Sequence, residues 1–460
     1  MGKKFAYQPR CAWEKLNTPA LRKKAEILAE RYIEFLSACK TERETVEYVC
    51  RRLRQAKYGE NFAGDCVLRD LRGKAVFAAQ RKKGPLGGIT LIAAHVDTPR
   101  LDFKQRPLVE QAGVVQAKTH YYGGIRKYQW LARPLALHGV IVRENGEKTP
   151  VTMGEKADEP VFCIADLLPH LAQKQVGQKV NEAFEAEKLN VILAHNPRTA
   201  NRRTGGKQDE KNWGSVREHL LVLLHAKYGI CEEDMITAEL QAVPAGPARF
   251  IGFDRALVGG YGQDDRICVF AALEAMLQAK PGARSRVIIF WDKEEIGSEG
   301  ATGAASRFFE YCVEKFTQGM RTSVSEIFLN SRALSADVQA ALDPDFQELH
   351  EKQNAALLGY GPCFSKFTGS RGKFGASEAD AEYFASLRGM LNTKGIPWQA
   401  AELGKVDQGG GGTVALFLAA YGMQVIDFGP PVLSMHSPFE LASCADLWFT
   451  VEAYKAFLET

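Results

Sequence analysis

The segment Gly87 to Pro99, GGITLIAAHVDTP, is apolar on consecutive residues and then stops at His95, Asp97 and Pro99. A strand with one wet face alternates apolar and polar residues. An unbroken apolar run bounded by glycine and proline instead fits a strand covered on both faces, as in the interior of a parallel sheet. SRVIIFWD (Ser285 to Asp292), SEIFLNSRALSAD (Ser325 to Asp337) and MQVIDFG (Met423 to Gly429) repeat the pattern, and KAVFAAQ (Lys74 to Gln80) reads as a strand neighbouring the first. Helical periodicity separates them, in DRICVFAALEAMLQA (Asp265 to Ala279) and PFELASCADLWFTVEAYKAFLE (Pro438 to Glu459). Near the start, Thr18 and Pro19 provide a cap and a first-turn proline for a helix through TPALRKKAEILAERYIEFLSAC. Strand and helix in alternation predict an α/β fold: a layered, mostly parallel sheet flanked by helices.

A chain of 460 residues exceeds what one core usually organises. The texture changes near residue 101, where LALHGVIVREN alternates and Asn145-Gly146 signals a hairpin turn. Residues 101–244 are therefore expected to form a smaller β-rich insertion, leaving 1–100 and 245–460 as one discontinuous main domain. Within the insertion, HNPRTANRRTGGKQDEKN (195–212) reads as a polar loop. The formal charge of +4 is small for this length and points to no nucleic-acid partner and no anionic membrane surface. No apolar stretch approaches a membrane span or a signal peptide, so the expectation is a soluble cytoplasmic protein. The ten cysteines include no Cys-x-x-Cys pair, which argues against a disulfide framework or a thiolate zinc site.

The chemistry gathers where strand patterns end: His95 and Asp97, Asp264 and Asp265, Glu294 and Glu295, Asp337, and His436. Open α/β sheets bind ligands at the carboxyl ends of their strands. Imidazoles and carboxylates suit divalent ions, and two cations about 3.5 to 4 Å apart need a bridging carboxylate with terminal ligands on either side. His95 and Asp97, one residue apart, face the same way in extended chain, so Asp97 can orient the imidazole. The neighbouring Glu294 and Glu295 face opposite ways if extended, which lets one ligate and the other take a proton. Ser437, Pro438 and Glu440 form a capping-box pattern predicting a helix directly after His436. The glycines 409 to 412 lack the Lys-Ser/Thr that follows a phosphate loop, so they are read as allowing a peptide to approach the backbone closely.

Taken in order, AAHVDTPRLDFK, GYGQDDRICVFAALEAM, FWDKEEIGSEG, SADVQAALDPDF, TGSRGKFGASEADAEYF, AELGKVDQGGGGT and MHSPFELAS resemble the cocatalytic zinc aminopeptidases of the aspartyl aminopeptidase and vacuolar aminopeptidase I type, in their bacterial branch. The resemblance implies a zinc-exopeptidase catalytic domain interrupted by a dimerisation or lid domain, assembled into a homododecamer with active sites facing an inner chamber. The family's Leu-Asp-Asn falls on Gln263-Asp264-Asp265, which makes Asp264 the bridge between two divalent ions per subunit, zinc with cobalt or manganese tolerated. It further implies His95 and Asp337 on one ion, Glu295 and His436 on the other, Glu294 as general base, and Asp97 as the partner of His95. His170, in LLPHLAQ, matches a histidine that a neighbouring subunit supplies to the reacting carbonyl. Lys373 and the loop of Gly409, Gly410 and Gly411 correspond to substrate-binding segments. These two segments differ from the eukaryotic aspartyl aminopeptidases, so the preferred N-terminal residue is left open. The implied substrates are peptides with a free N-terminus. The alternatives are a related dizinc hydrolase, such as a carboxypeptidase or N-acyl amino acid deacylase, or a non-catalytic self-assembling shell.

Overall fold

The structure, a computed structural model, describes residues 6–82, 87–197 and 215–460, so most of the expected polar loop lies outside the described residues. The chain divides into two compact units, Met1–Thr98 with Pro247–Thr460, and Pro99–Gly246.

An eight-stranded mixed sheet organises the first unit. Its strands are β1 (Cys66–Leu71), β2 (Ala75–Gln80), β3 (Ile89–His95), β4 (Ser285–Trp291), β5 (Arg332–Ser335), β6 (Cys363–Ser365), β7 (Gln399–Ala400) and β8 (Gln424–Gly429). Across the sheet they run β1-β2-β4-β3-β5-β8-β6-β7. The four central strands β4, β3, β5 and β8 are parallel, and these carry the apolar runs. Antiparallel pairings join β2 to β4 and β6 to β8 on either side. The expected adjacency of β2 and β3 does not occur, because β4 pairs with both and lies between them. A strand buried at every position, as β4 is, gains most from a central place with partners on both edges.

Alternate residues of β3 enter two different cores. Ile92 and Ala94 join Phe270, Leu273, Leu447 and Tyr454, whereas Leu91 and Ala93 join Phe309, Val313 and Leu418. Both faces of the strand are thus apolar because both are covered. The helices that cover the first face are α1 (Pro19–Ala38), α2 (Gln263–Gln278) and α3 (Cys444–Leu458). Thr18 caps α1, its hydroxyl accepting the Leu21 N–H at 3.2 Å.

Two expected elements change identity. Only the end of SEIFLNSRALSAD is strand, since Ser323 caps a short helix over Val324–Leu329 before β5 begins. PFELAS does not open a helix: Glu440–Ser443 is a strand, and α3 starts after it with Ser443 as its cap. That strand belongs to a five-stranded sheet running Arg249–Ile251, Leu257–Gly260, Glu440–Ser443, Pro431–Leu433 and Gln339–Ala340.

The second unit holds a six-stranded antiparallel sheet in the order Lys148–Met153, Leu135–Val142, Glu239–Pro244, Arg100–Gln111, Val114–Tyr122 and Val191–Ala194. The hairpin of Leu135–Val142 and Lys148–Met153 turns through Gly146, whose φ of 81° is one that glycine adopts without strain. Among the described residues no helix is long and apolar enough to cross a membrane.

Phe270 of α2 is fully buried and stands 5.3 Å from the Tyr32 ring and 5.4 Å from the Phe35 ring, joining α2 to α1. Phe270→Ala is expected to destabilise the first unit by about 3–5 kcal/mol through lost transfer energy and a cavity. Denaturant unfolding measures this, and a loss below about 1 kcal/mol would show that the neighbouring rings close the gap.

Candidate metal and catalytic centre

The ends of the central strands deliver the site. His95 is the last residue of β3 and pairs in register with Trp291, the last residue of β4. Two residues beyond β4 the chain turns left-handed at Lys293, with φ of 73°, and Glu294–Ile296 forms one turn of 3-10 helix. The two glutamates therefore do not lie on extended chain as expected. Their backbone N–H groups instead both donate to Asp97, Glu294 to Oδ1 and Glu295 to Oδ2, each at 3.1 Å. Asp97 Oδ1 also lies 3.3 Å from His95 Nδ1, so one buried carboxylate fixes a histidine ring and an acidic turn together.

Asp264, at the start of α2, faces both histidines. Its Oδ1 is 3.2 Å from His95 Nε2 and its Oδ2 is 3.1 Å from His436 Nε2. Glu295 Oε2 lies 3.4 Å from His436 Nε2, and Glu294 Oε2 lies 3.9 Å from His95 Nε2. Candidate ligand atoms of His95, Asp264 and Glu295 all fall within 4.8 Å of one another, and so do those of His95, Asp265 and Asp337. Asp265 differs from Asp264 in contacting no histidine ring in this way: its Oδ2 accepts the backbone N–H of His95 at 3.3 Å. Asp337, two residues past β5, is held by a close approach of chains. A Cβ on Gly429 would stand 2.1 Å from the Asp337 carbonyl oxygen, so only glycine fits there.

The electrostatics suit cations. Burial, with the charge of Asp264, pushes the Glu295 carboxyl well above its usual range, and burial with the charges of Asp265 and Asp264 does the same to Asp337. Burial also raises Glu294, to about 7. Burial opposes ionisation of Asp264 too, but hydrogen bonds from His436 and His95 outweigh it and hold that carboxyl below its usual value. For His436, burial favours the neutral ring, yet the hydrogen bond to Asp264 and the charge of Glu295 hold it up at about 10. Glu295 Oε1 is buried and takes no hydrogen bond, which is the state of an oxygen whose partner is an ion. Imidazole nitrogen with carboxylate oxygen is a donor set that zinc accepts.

A cavity of about 540 Å³ opens on this group and is lined by Asp264, Glu294, Glu295, Asp337 and His436 on one side. Lys373, Gly409, Gly410 and Gly411 line it elsewhere. Lys373 is paired with Glu378 at 2.9 Å. The glycines divide by role. A Cβ on Gly409 would meet Leu403 O at 1.8 Å, and one on Gly410 would meet Gly369 O at 2.3 Å, so those two serve the packing of the chain on itself. Gly411 and Gly412 face open space. His170 lies in the second unit, exposed on the turn Pro169–Leu171 beside exposed Leu168 and Leu171.

One residue of the site was misread in the sequence. Glu440 is fully buried, and its Oε2 accepts the N–H groups of Gln263 and Asp264, the latter at 3.1 Å, while Oε1 accepts that of His436 at 2.8 Å. His436 has φ of 64° and Ser434 has φ of 57°, so the loop bearing this histidine is left-handed at two non-glycine residues. An acidic residue four places after His436 and inside an apolar stretch was the available signal; its resemblance to a helix cap concealed it.

The sequence profile of the aminopeptidase I zinc metalloproteases (M18) matches residues 35–458. A probable M18 family aminopeptidase 1 of Clostridium acetobutylicum is 44% identical, covering 97% of this chain and 97% of its own length. The crystal structure of an M18 aminopeptidase from Thermotoga maritima superimposes with a TM-score of 0.92 at 42% identity, over 99% of this chain and 100% of that one. A solved mApe1 dodecamer from S. cerevisiae shares the fold at 20% identity, with a TM-score of 0.75 over 95% of this chain and 97% of that one. With two histidines and a set of carboxylates drawn together at the strand ends, the chain belongs to the M18 family of zinc metalloproteases and is a metal-dependent aminopeptidase.

Proposed function

We propose that the protein removes N-terminal residues from peptides at a two-metal centre in which Asp264 bridges, His95 and Asp337 complete one site, and Glu295 and His436 complete the other. The observation that carries this reading is the position of Asp264, with one oxygen toward each histidine and the Glu294 carboxylate beside them on the cavity wall. When bound, two such cations act as Lewis acids toward a carbonyl and acidify water. The protein's own contribution is proton handling and placement. Glu294 accepts the proton of the attacking water and returns it to the leaving amine, a role suited to a carboxyl whose burial lifts it to about 7. Asp97 holds the His95 ring and, through two N–H bonds, the turn that carries Glu294 and Glu295. The cavity receives the N-terminal residue, with Gly411 offering backbone that a peptide can approach, and Lys373 at its wall.

We further propose that the first unit is a zinc-exopeptidase catalytic domain of phosphorylase/hydrolase-like architecture and that Pro99–Gly246 is an inserted dimerisation or lid domain. The exposed apolar side chains of Leu167, Leu168 and Leu171 around His170 suit a surface covered by another copy of the chain, from which His170 would reach a neighbour's substrate carbonyl as a hydrogen-bond donor. Assembly into a homododecamer, and a cytoplasmic location, belong to the same reading.

Free-amine, N-acetylated and C-amidated peptides separate the reading from a deacylase or carboxypeptidase. Release from the N-terminus of free-amine and C-amidated peptides is expected, with N-acetylated peptides inert; cleavage of the acetylated set alone sinks the proposal. Glu294→Gln should keep its metal content while turnover falls about 10²- to 10⁴-fold, and an unchanged kcat removes Glu294 from the chemistry.

Metal uptake should also release protons near pH 7.5. His436, held at about 10 before a cation arrives, is protonated there and must lose its proton to ligate, and the raised carboxyls of Glu295 and Asp337 shift the balance the same way. Zinc titration calorimetry of metal-stripped protein in buffers of different ionisation enthalpy should show proton release, and buffer-independent heats would contradict the ligand set.

A further inference from the structure

We infer that Glu440 is the positioning residue of the second metal site, the one completed by Glu295 and His436, and that it acts by tying the backbone of the bridging ligand to that of the histidine. The inference rests on the ligand assignment proposed above and extends it to a residue outside the ligand set.

Three backbone donors converge on this side chain. Oε2 takes the N–H of Gln263 and that of Asp264, and Oε1 takes that of His436. A second tie reinforces the first, as the Gln263 side-chain amide donates to the Glu440 carbonyl oxygen at 2.6 Å and to the Val258 carbonyl oxygen at 3.0 Å. Glu440 itself sits on the strand Glu440–Ser443, which pairs with Leu257–Gly260 on one side and Pro431–Leu433 on the other. The first of these neighbours leads into Asp264 and the second into His436, so the two ligands reach the site from separate strands and Glu440 stands between them.

This arrangement ties the backbone of Asp264 to that of His436. His436 sits on a left-handed segment, a conformation that non-glycine residues leave readily unless held. Its N–H goes to Glu440, and its ring meets Asp264 and Glu295. The first site shares Asp264 but draws its other supports from elsewhere. His95 ends β3 and is oriented by Asp97, and Asp337 is seated against Gly429. Disturbing Glu440 should therefore loosen the second site, where it holds both His436 and Asp264, more than the first, where it holds Asp264 alone. An ionised carboxylate suits the task because both of its oxygens then only accept, whereas a glutamine in the same volume would turn an N–H₂ group toward one set of N–H donors.

The test is a cobalt(II) titration of metal-stripped Glu440→Gln and wild-type protein, followed by visible absorption and by metal content after desalting. Wild type should take up two ions. In Glu440→Gln the second should bind about 10- to 100-fold more weakly, the scale on which partners of metal ligands act, and the first should be weakened less. Asp446→Asn is the structural control, because Asp446 is another fully buried carboxylate accepting two backbone N–H bonds, from Gly359 and Gly361, and it is not a neighbour of the ligands in any of these contacts. It should lower the melting temperature and leave both affinities alone. Glu440→Asp, which keeps two acceptor oxygens, should recover part of the second affinity. Two ions bound with wild-type affinities by Glu440→Gln, equal weakening of both sites, or the same selective loss in Asp446→Asn would each overturn the inference. A Glu440→Gln chain that is unfolded even with cobalt in excess also overturns it, since the residue then holds the fold and not one site. A wild type that binds fewer than two ions would instead defeat the two-metal reading itself.

Discussion

Buried carboxylates crowded beyond what the surrounding medium tolerates are the constraint on which this structure turns. Asp264, Asp265, Glu294, Glu295 and Asp337 converge at the ends of the central strands, with Asp97 and Glu440 directly behind them. Ionised side chains so placed repel one another and lose their hydration, and three remedies exist: protons, fixed hydrogen-bond donors, or cations. All three act here on different members. The raised carboxyls of Glu295 and Asp337 take up protons when no cation is near, Asp97 and Glu440 draw on backbone N–H groups, and the histidines supply positive charge to Asp264. On the proposed assignment a pair of divalent ions would replace both those protons and the charge of the histidines, and leave the backbone donors in force.

The sheet makes such crowding possible. Parallel strands end at one edge, so His95 after β3, the turn after β4 and Asp337 after β5 arrive together without any of them being close in sequence. Burial of those strands on both faces supplies the rigidity, because each is gripped by two apolar cores, and loops leaving a rigid edge inherit its precision.

Much of this was legible in the sequence for one reason: an apolar run that stops at a histidine or an acid marks both a buried strand and the edge where it ends. His95, Glu294, Glu295, Asp337 and His436 stand out that way, as does the pair Asp264 and Asp265, within which only the resemblance to the family's motif singled out Asp264. What escaped was decided by partners remote in sequence. Nothing local to Ala75–Gln80 says that Ser285–Trp291 will come between it and Ile89–His95. Ser437-Pro438-Phe439-Glu440 is a sound local recipe for a helix start, but Leu257–Gly260 and Pro431–Leu433 offer Glu440–Ser443 two strand edges, and pairing with both outweighs one cap. Glu294 and Glu295 were placed on extended chain because they follow a strand. The left-handed Lys293 and the carboxylate of Asp97, nearly two hundred residues earlier, bend them into a turn.

The same comparison separates two kinds of acidic residue at a metal centre. Ligands need free lone pairs directed at an ion, and in Glu295, a ligand on the proposed assignment, one oxygen has no hydrogen bond among the described residues. Supporting carboxylates need the opposite: Asp97 uses both oxygens on the backbone N–H groups of Glu294 and Glu295, and Glu440 uses both on those of Gln263, Asp264 and His436. A backbone donor cannot rotate away as a side chain can, so this division lets the second kind fix the first at little entropic cost. Counting acids in a motif therefore overstates the proposed ligand set, since Asp97 and Glu440 spend their oxygens on backbone donors.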